Sequence, residues 1–292
     1  MILYKQIERN KRITVFIVAG FIIFMLAVGA ALTYITTGEY YSGMFLAAVI
    51  GGGYTIMMLI SSTNVVMKMN HAKQIKSKED DPFLWHTVEN LAMAARIPMP
   101  KIFIIQDPSP NAFATGNSPK SGAVAVTTGL MNRLNREEIE GVLAHEVAHI
   151  RNFDIRLATI AVALVSAVAI LSDLGSRMMF FSRRSRNQKQ HPAILLVALL
   201  LLILAPLISI LIRFAISRNR EFLADASAAE LTRNPYALAS ALRKITSVET
   251  PVQEASSTSA PLYFADPLKK RAAQLFSTHP QPEERIRRLS NM

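Results

Sequence analysis

The sequence predicts an α+β membrane protein, mainly α-helical, in which helical hairpins cross the bilayer and a polar portion carries a small β-sheet. Three observations lead there. Of the 292 residues, 51% are hydrophobic and only 18% charged, which is too apolar for an ordinary soluble chain of this size. Four long apolar runs stand in two pairs. Between the pairs lie short segments rich in β-formers and separated by Pro, Asn, Ser and Gly. The chain divides accordingly into an apolar hairpin over 1–65, a first polar part over 66–156, a second apolar hairpin over 157–212 and a second polar part over 213–292.

The first hairpin joins the run from Ile13 to Ile35 to the run from Gly43 to Ile60 through TTGEYYS. Each run is long enough to cross about 30 Å of hydrocarbon as a helix. Lys5, Arg9, Lys11 and Arg12 precede the first run, but its apolar core is too long for a signal peptide and a second span follows at once. Lys68, Lys73, Lys76 and Lys78 follow the second run while the connecting turn carries only Glu39, so the positive-inside bias puts both ends of the hairpin in the cytoplasm. The second pair, Leu157 to Ser172 and Pro192 to Ile212, is joined by a linker holding Arg177, Arg183, Arg184, Arg186 and Lys189. Such a linker resists translocation, so this pair either spans twice under the lead of the first hairpin or dips into the bilayer as a re-entrant hairpin.

Between the hairpins, Pro82 to Ala95 sets Leu84, Val88, Leu91 and Ala95 at helical spacing. Lys101 to Gln106, Asn111 to Gly116 and Gly122 to Met131 then read as a meander of short strands. Asn135, three places before Glu138, marks a helix start, and this helix can run straight into the third apolar segment. Beyond the fourth run, helices are expected from about Ser217 to Asn234 and from Tyr236 to Ile245. TPVQEASSTSAP at 250–261 has linker composition, and QPEERIRRL forms a closing amphipathic helix.

A net charge of +11 in so apolar a chain points to anionic lipid rather than nucleic acid. The absence of cysteine excludes disulfides, thiolate metal sites and cysteine nucleophiles, so any metal is held by His, Asp or Glu. No part of the sequence specifies an oligomer. The helix after Asn135 carries His145, Glu146 and His149 in HEVAH. Residues four apart share a helix face, so both imidazoles can reach one ion, and Glu146 can reach a water on that ion without binding it. A catalytic site needs a third protein ligand. Glu221 and Asp225 in EFLAD are also four apart, so that one carboxylate can bind metal while the other holds a ligand histidine. His191, His279, Asp154 and Glu230 are further candidates.

Behind two N-terminal apolar segments, NAFATG, the strand ending TTGLM, HEVAH, an apolar hairpin, SRNREFLAD and STHPQPEERI follow in order. In that order they resemble the membrane-bound zinc metallopeptidases typified by the protease HtpX, relatives of the CAAX prenyl endopeptidases. The resemblance spans nearly the whole chain. It implies a zincin-like (gluzincin) catalytic domain with one Zn2+ per chain, held by His145, His149 and Glu221, with Glu146 as base and Asp225 orienting a ligand. It also implies that Asn111, Ala112, Phe113, Ala114 and Thr115 form an edge strand along which an extended peptide lies by β-augmentation. His279 either donates to the oxyanion of the tetrahedral intermediate or caps the last helix. The implied role is quality control of unfolded or damaged membrane proteins under stress, in the bacterial cytoplasmic membrane with the catalytic domain facing the cytoplasm. Two competing readings remain: an intramembrane metalloprotease, and a membrane scaffold or holdase with a structural zinc. The charged flanks of HEVAH oppose the first, and an open three-ligand site opposes the second.

Overall fold

The computed structural model describes residues 2–162, 164, 218–248, 250–253, 255, 259–267 and 280–292. Most of the second apolar hairpin, its basic linker and His279 lie outside the described residues. Two long helices, α1 (Ile2–Thr37) and α2 (Tyr41–Met69), form the N-terminal hairpin. They approach closely at Gly29 and Gly43, where a side-chain carbon on Gly29 would sit 2.4 Å from the Gly43 carbonyl oxygen. The stretch Arg12–Ala31 is long and apolar enough to cross a membrane, and α2 meets the same test only as a pair of segments bent by 73° between Met57 and Ile60.

The polar part is built on a four-stranded sheet of β1 (Lys73–Ile75), β2 (Lys101–Ile105), β3 (Ala112–Thr115) and β4 (Ala123–Thr127), in the order β1-β2-β4-β3. The expected meander is not what forms. β4 inserts between β2 and β3, parallel to β2 and antiparallel to β3. Two features account for this. The β2–β3 connection contains Pro108 and Pro110, which fix φ and lack donors, and it is pinned outward by Asp107, whose side chain accepts from Ser109 N–H and Gln253 N–H at 2.8 and 2.7 Å. AVAVT in β4 is apolar at every position but the last and is buried on both faces, the pattern of a central strand.

The strand expected to continue to Met131 stops at Thr127, whose hydroxyl caps the short helix α4 (Thr128–Arg133) by accepting from Leu130 N–H. Helix α3 (Pro82–Ala95) is capped by Asp81 and buries Leu84, Val88, Leu91 and Ala95, the stripe its spacing predicts. Helix α5 (Arg136–Arg151) lies between α3 and β3 and packs against α6 (Arg218–Thr232) and α7 (Pro235–Thr246). A final helix, α8 (Pro282–Leu289), packs on α6 and α7. The other face of the sheet meets the end of α2: Val66 and Met67 pack with Phe103, Ile105, Phe113 and Tyr263.

Helix α5 does not run on into the third apolar segment. It ends at Asn152, Phe153 takes a left-handed φ of 59°, and helix resumes over 154–162. The 250–261 stretch, expected as a linker, is fastened where it is described: Ser109 Oγ donates to Thr250 O at 2.6 Å and Val252 N–H to Pro267 O at 2.8 Å.

The N-terminus of α5 is held by a buried carboxylate. Glu138 completes the capping box with Asn135, and also accepts from Ser240 Oγ at 2.6 Å and from Lys244 Nζ at 2.8 Å, joining α5 to α7. Burial opposes the charge of Glu138, but hydrogen bonds from Lys244, Ser240 and the Asn135 backbone outweigh it and hold the pKa below the ordinary carboxylate range. A carboxylate depressed in the folded state stabilises above its unfolded pKa, and that stability is lost as pH falls through the folded pKa. Glu138→Gln is therefore expected to destabilise the protein by about 1–3 kcal/mol at neutral pH, as for a lost charged hydrogen bond, and to flatten the acid limb of thermal stability measured in detergent.

Candidate metal centre

One helical turn along α5, His145 and His149 bring their Nε2 atoms to 3.0 Å, with the rings edge to face at 88°. Glu221 approaches from α6, with Oε1 3.4 Å from His149 Nε2 and Oε2 3.7 Å from His145 Nε2. One donor atom from each of the three residues lies within 4.8 Å of the others. Tetrahedral bonds of 2.0–2.1 Å to one ion would put its ligand atoms about 3.3 Å apart, close to the separations found. Two imidazole lone pairs facing each other at this range repel unless a proton or cation lies between them. The donor set of two nitrogens and a carboxylate suits a divalent ion with one position open.

The outward Nδ1 atoms are both held by carboxylates. His145 Nδ1 lies 2.9 Å from Asp225 Oδ1, and His149 Nδ1 lies 3.2 Å from Asp154 Oδ2. Each carboxylate favours a proton on Nδ1, which leaves the Nε2 lone pair directed at the ion. Arg285, from α8, grips Asp225 with two hydrogen bonds of 2.7 and 2.9 Å, and its Nη1 stands 3.6 Å from Glu221 Oε2. Its guanidinium also stacks on Phe264, whose ring meets the edge of His145 at 5.0 Å.

Charges follow from this packing. Burial lowers the His145 pKa to about 4 even though Asp225 favours its charged form. For His149, burial again disfavours charge, but hydrogen bonds to Asp154 and Glu221 prevail and raise the pKa to about 10. Asp225 stays ionised because the charge of Arg285 and the bond to His145 overcome burial, bringing its pKa to about 2. Glu146 is raised to about 7, chiefly by burial, with the Ala114 backbone N–H favouring its charged form. A carboxylate near neutral pKa can both take and return a proton.

The structure thus brings His145, His149 and Glu221 to one point, with Glu146 beside it and Asp225 behind His145. In the edge strand the expected residues separate. Thr127 N–H donates to Asn111 O, and by alternation Phe113 and Thr115 also direct their backbone groups at β4, whereas Ala112 and Ala114 face outward. Ala114 is at the base, while Ala112 and Asn111 are engaged by 264–265. Of the other ligand candidates, Glu230 pairs at the surface with Arg151, and His191 and His279 lie outside the described residues.

Two residues with a direct role in this arrangement are not evident from the sequence. Asp154 was read there as a ligand candidate, and its contact with His149 depends on the chain reversal at Phe153. Arg285 sits in a basic amphipathic helix whose other arginines, Arg287 and Arg288, pair with Glu284 at the surface. The one signal available is its four-residue spacing from Leu289, which marks the buried face of α8.

An HExxH helix and a glutamate brought to it from a second helix are the pattern of a metallopeptidase. Comparison with known proteins agrees: the model for Peptidase family M48 matches residues 79–292. Relatives described as Protease HtpX homolog are 55% identical in Listeria monocytogenes serotype 4a and 50% identical in Levilactobacillus brevis, each aligned over 99% of this chain and 100% of its own. The chain belongs to peptidase family M48, in its HtpX branch. The crystal structure of S. mikatae Ste24p aligns with 98% of this chain and 66% of that one at 20% identity, with a TM-score of 0.49.

Asp154→Asn is expected to weaken metal affinity by about 10- to 100-fold, the usual cost of losing a partner of a ligand histidine. A proton held by His149 below a pKa of about 10 must leave when the ion binds. Affinity should therefore rise with pH by up to about tenfold per unit across neutrality, read by competition with a chromophoric chelator.

Proposed function

We propose that the chain is a zinc-dependent endopeptidase held in the cytoplasmic membrane, with its site facing the cytoplasm and acting on unfolded or damaged membrane proteins. The observation that carries this reading is the convergence of His145, His149 and Glu221 beside Glu146 and the outward-facing Ala114. A nitrogen-rich, cysteine-free donor set with one position open favours zinc in a catalytic role.

Zinc, when bound by these three residues, supplies a Lewis acid that acidifies water and polarises the scissile carbonyl. Glu146 takes the proton from the attacking water and gives it to the leaving amine. Ala114 donates its N–H to Glu146, which leaves its outward carbonyl to accept from the substrate main chain. Recognition through main-chain groups is tolerant of sequence, which suits a protease for damaged proteins of many kinds.

The membrane assignment is supported by α1 and α2, which leave Phe16, Phe45 and Ile60 exposed at 76, 73 and 77%. Such a surface suits lipid rather than water. The lysines after α2 and the basic residues at the start of α1 favour a cytoplasmic location for both ends of the hairpin.

In purified protein, Glu146→Gln is expected to retain stoichiometric zinc while casein cleavage falls by roughly 10^2- to 10^4-fold. Glu221→Ala should lose both zinc and cleavage. Chelation should abolish activity and zinc restore it. Proteolysis by zinc-loaded Glu146→Gln at the parental rate would overturn the assignment. Because the chain has no cysteine, orientation is read by impermeant maleimide labelling of Glu79→Cys and Glu39→Cys. Glu79→Cys should react from the cytoplasmic side only, and Glu39→Cys from the opposite side.

A further inference from the structure

Within the substrate strand, a length of this chain already occupies part of the outer edge. Phe264 N–H donates to Ala112 O at 2.8 Å, and Phe113 and Tyr263 form an antiparallel bridge. Asn111, buried, grips the next residue with both ends of its amide: Nδ2 donates to Ala265 O at 2.9 Å, and Oδ1 accepts from Ala265 N–H at 3.2 Å. The segment is also tied to the end of α2, where Asn70 Oδ1 accepts from Tyr263 Oη at 3.1 Å and from Ser259 Oγ at 2.7 Å. On the far side of Ala114 the edge closes again, because Gly116 N–H donates to Thr159 Oγ1 at 3.0 Å.

We propose that residues 263–265 are a built-in stop on the substrate edge, with Asn111 as the residue that sets its position. The inference rests on the protease reading and adds a direction to it. Because 263 pairs with 113 and 264 with 112, the segment runs antiparallel to β3. A substrate added antiparallel at Ala114 is collinear with the segment and points its C-terminal end at Tyr263. Ala114 lies beside the base, so the scissile bond is close by. The substrate therefore pairs with the sheet through residues on the N-terminal side of that bond, and its C-terminal side must leave the sheet at once. Asn111 thereby determines which side of the cleavage point contributes binding energy.

The test uses the full-length zinc-loaded enzyme and unstructured peptides nested about one cleavage site mapped in casein. With the parental protein, the first residues added on the N-terminal side should raise kcat/KM several-fold, the gain ending where Thr159 takes the Gly116 N–H, while lengthening the C-terminal side should leave it unchanged. With Asn111→Ala, which releases the stop, C-terminal residues should begin to raise kcat/KM. Tyr263→Phe, which loosens the tie to Asn70 without removing the ring, should move the dependence in the same direction. Peptide affinity on zinc-loaded Glu146→Gln reads the same dependence without turnover. Equal gains on both sides in the parental protein would overturn the proposal. So would a uniform fall for every peptide in Asn111→Ala, which would make Asn111 a direct substrate contact. Length-dependent binding without zinc-dependent cleavage would instead count against the protease reading and leave the stop intact.

Discussion

Two imidazole nitrogens set face to face at 3.0 Å in a buried helix constrain the rest of this molecule. Such a contact is favourable only with a proton or a cation between the nitrogens and with both rings held so that neither can turn away. Asp225 and Asp154 do the holding from two different directions. Asp225 is itself fixed by Arg285, so polar groups follow one another outward from the cluster: imidazole, carboxylate, guanidinium. Buried charges arranged in this order offset one another's desolvation, which an isolated buried aspartate could not do.

This chain of contacts explains which parts of the site are legible in the sequence. HEVAH and its helix are local: the capping box at Asn135 and Glu138 and the apolar positions from Ile139 to Ile150 fix a helix within one stretch. Glu221 and Asp225 stand out as carboxylates on an otherwise small-residue helix, although only the family resemblance gave each its role. Asp154 requires knowing that Phe153 adopts a left-handed conformation, which a bulky residue rarely does and no neighbouring residue announces. The helix break at that point falls within RNFDIR, where neither Gly nor Pro marks it.

The sheet shows a similar limit. Three of the four strands are legible from composition, whereas β1 and the strand order are not. The pairing of β2 with β4 is parallel and non-local, decided by the stiff Pro108–Pro110 connection and by how completely β4 is buried. The same arrangement leaves β3 at the edge, beside the helix that carries the base. The sheet also connects the N-terminal hairpin to the site, since its second face packs on Val66 and Met67 while Asn70 fastens the segment across β3. A displacement of α2 would therefore be felt at β3.

Arg285 comes 140 residues after His145 in the chain, and the whole second apolar stretch is made between them. At about 5–20 residues per second, synthesis of that interval takes roughly 7–28 s. Until Arg285 is added, Asp225 lacks the guanidinium that grips it, and His145 lacks a fixed partner for its Nδ1. A nascent copy thus carries HEVAH before it has Glu221, Asp225 or Arg285. By chain order alone, the surroundings of His145 close only when the last helix, α8, packs against α6.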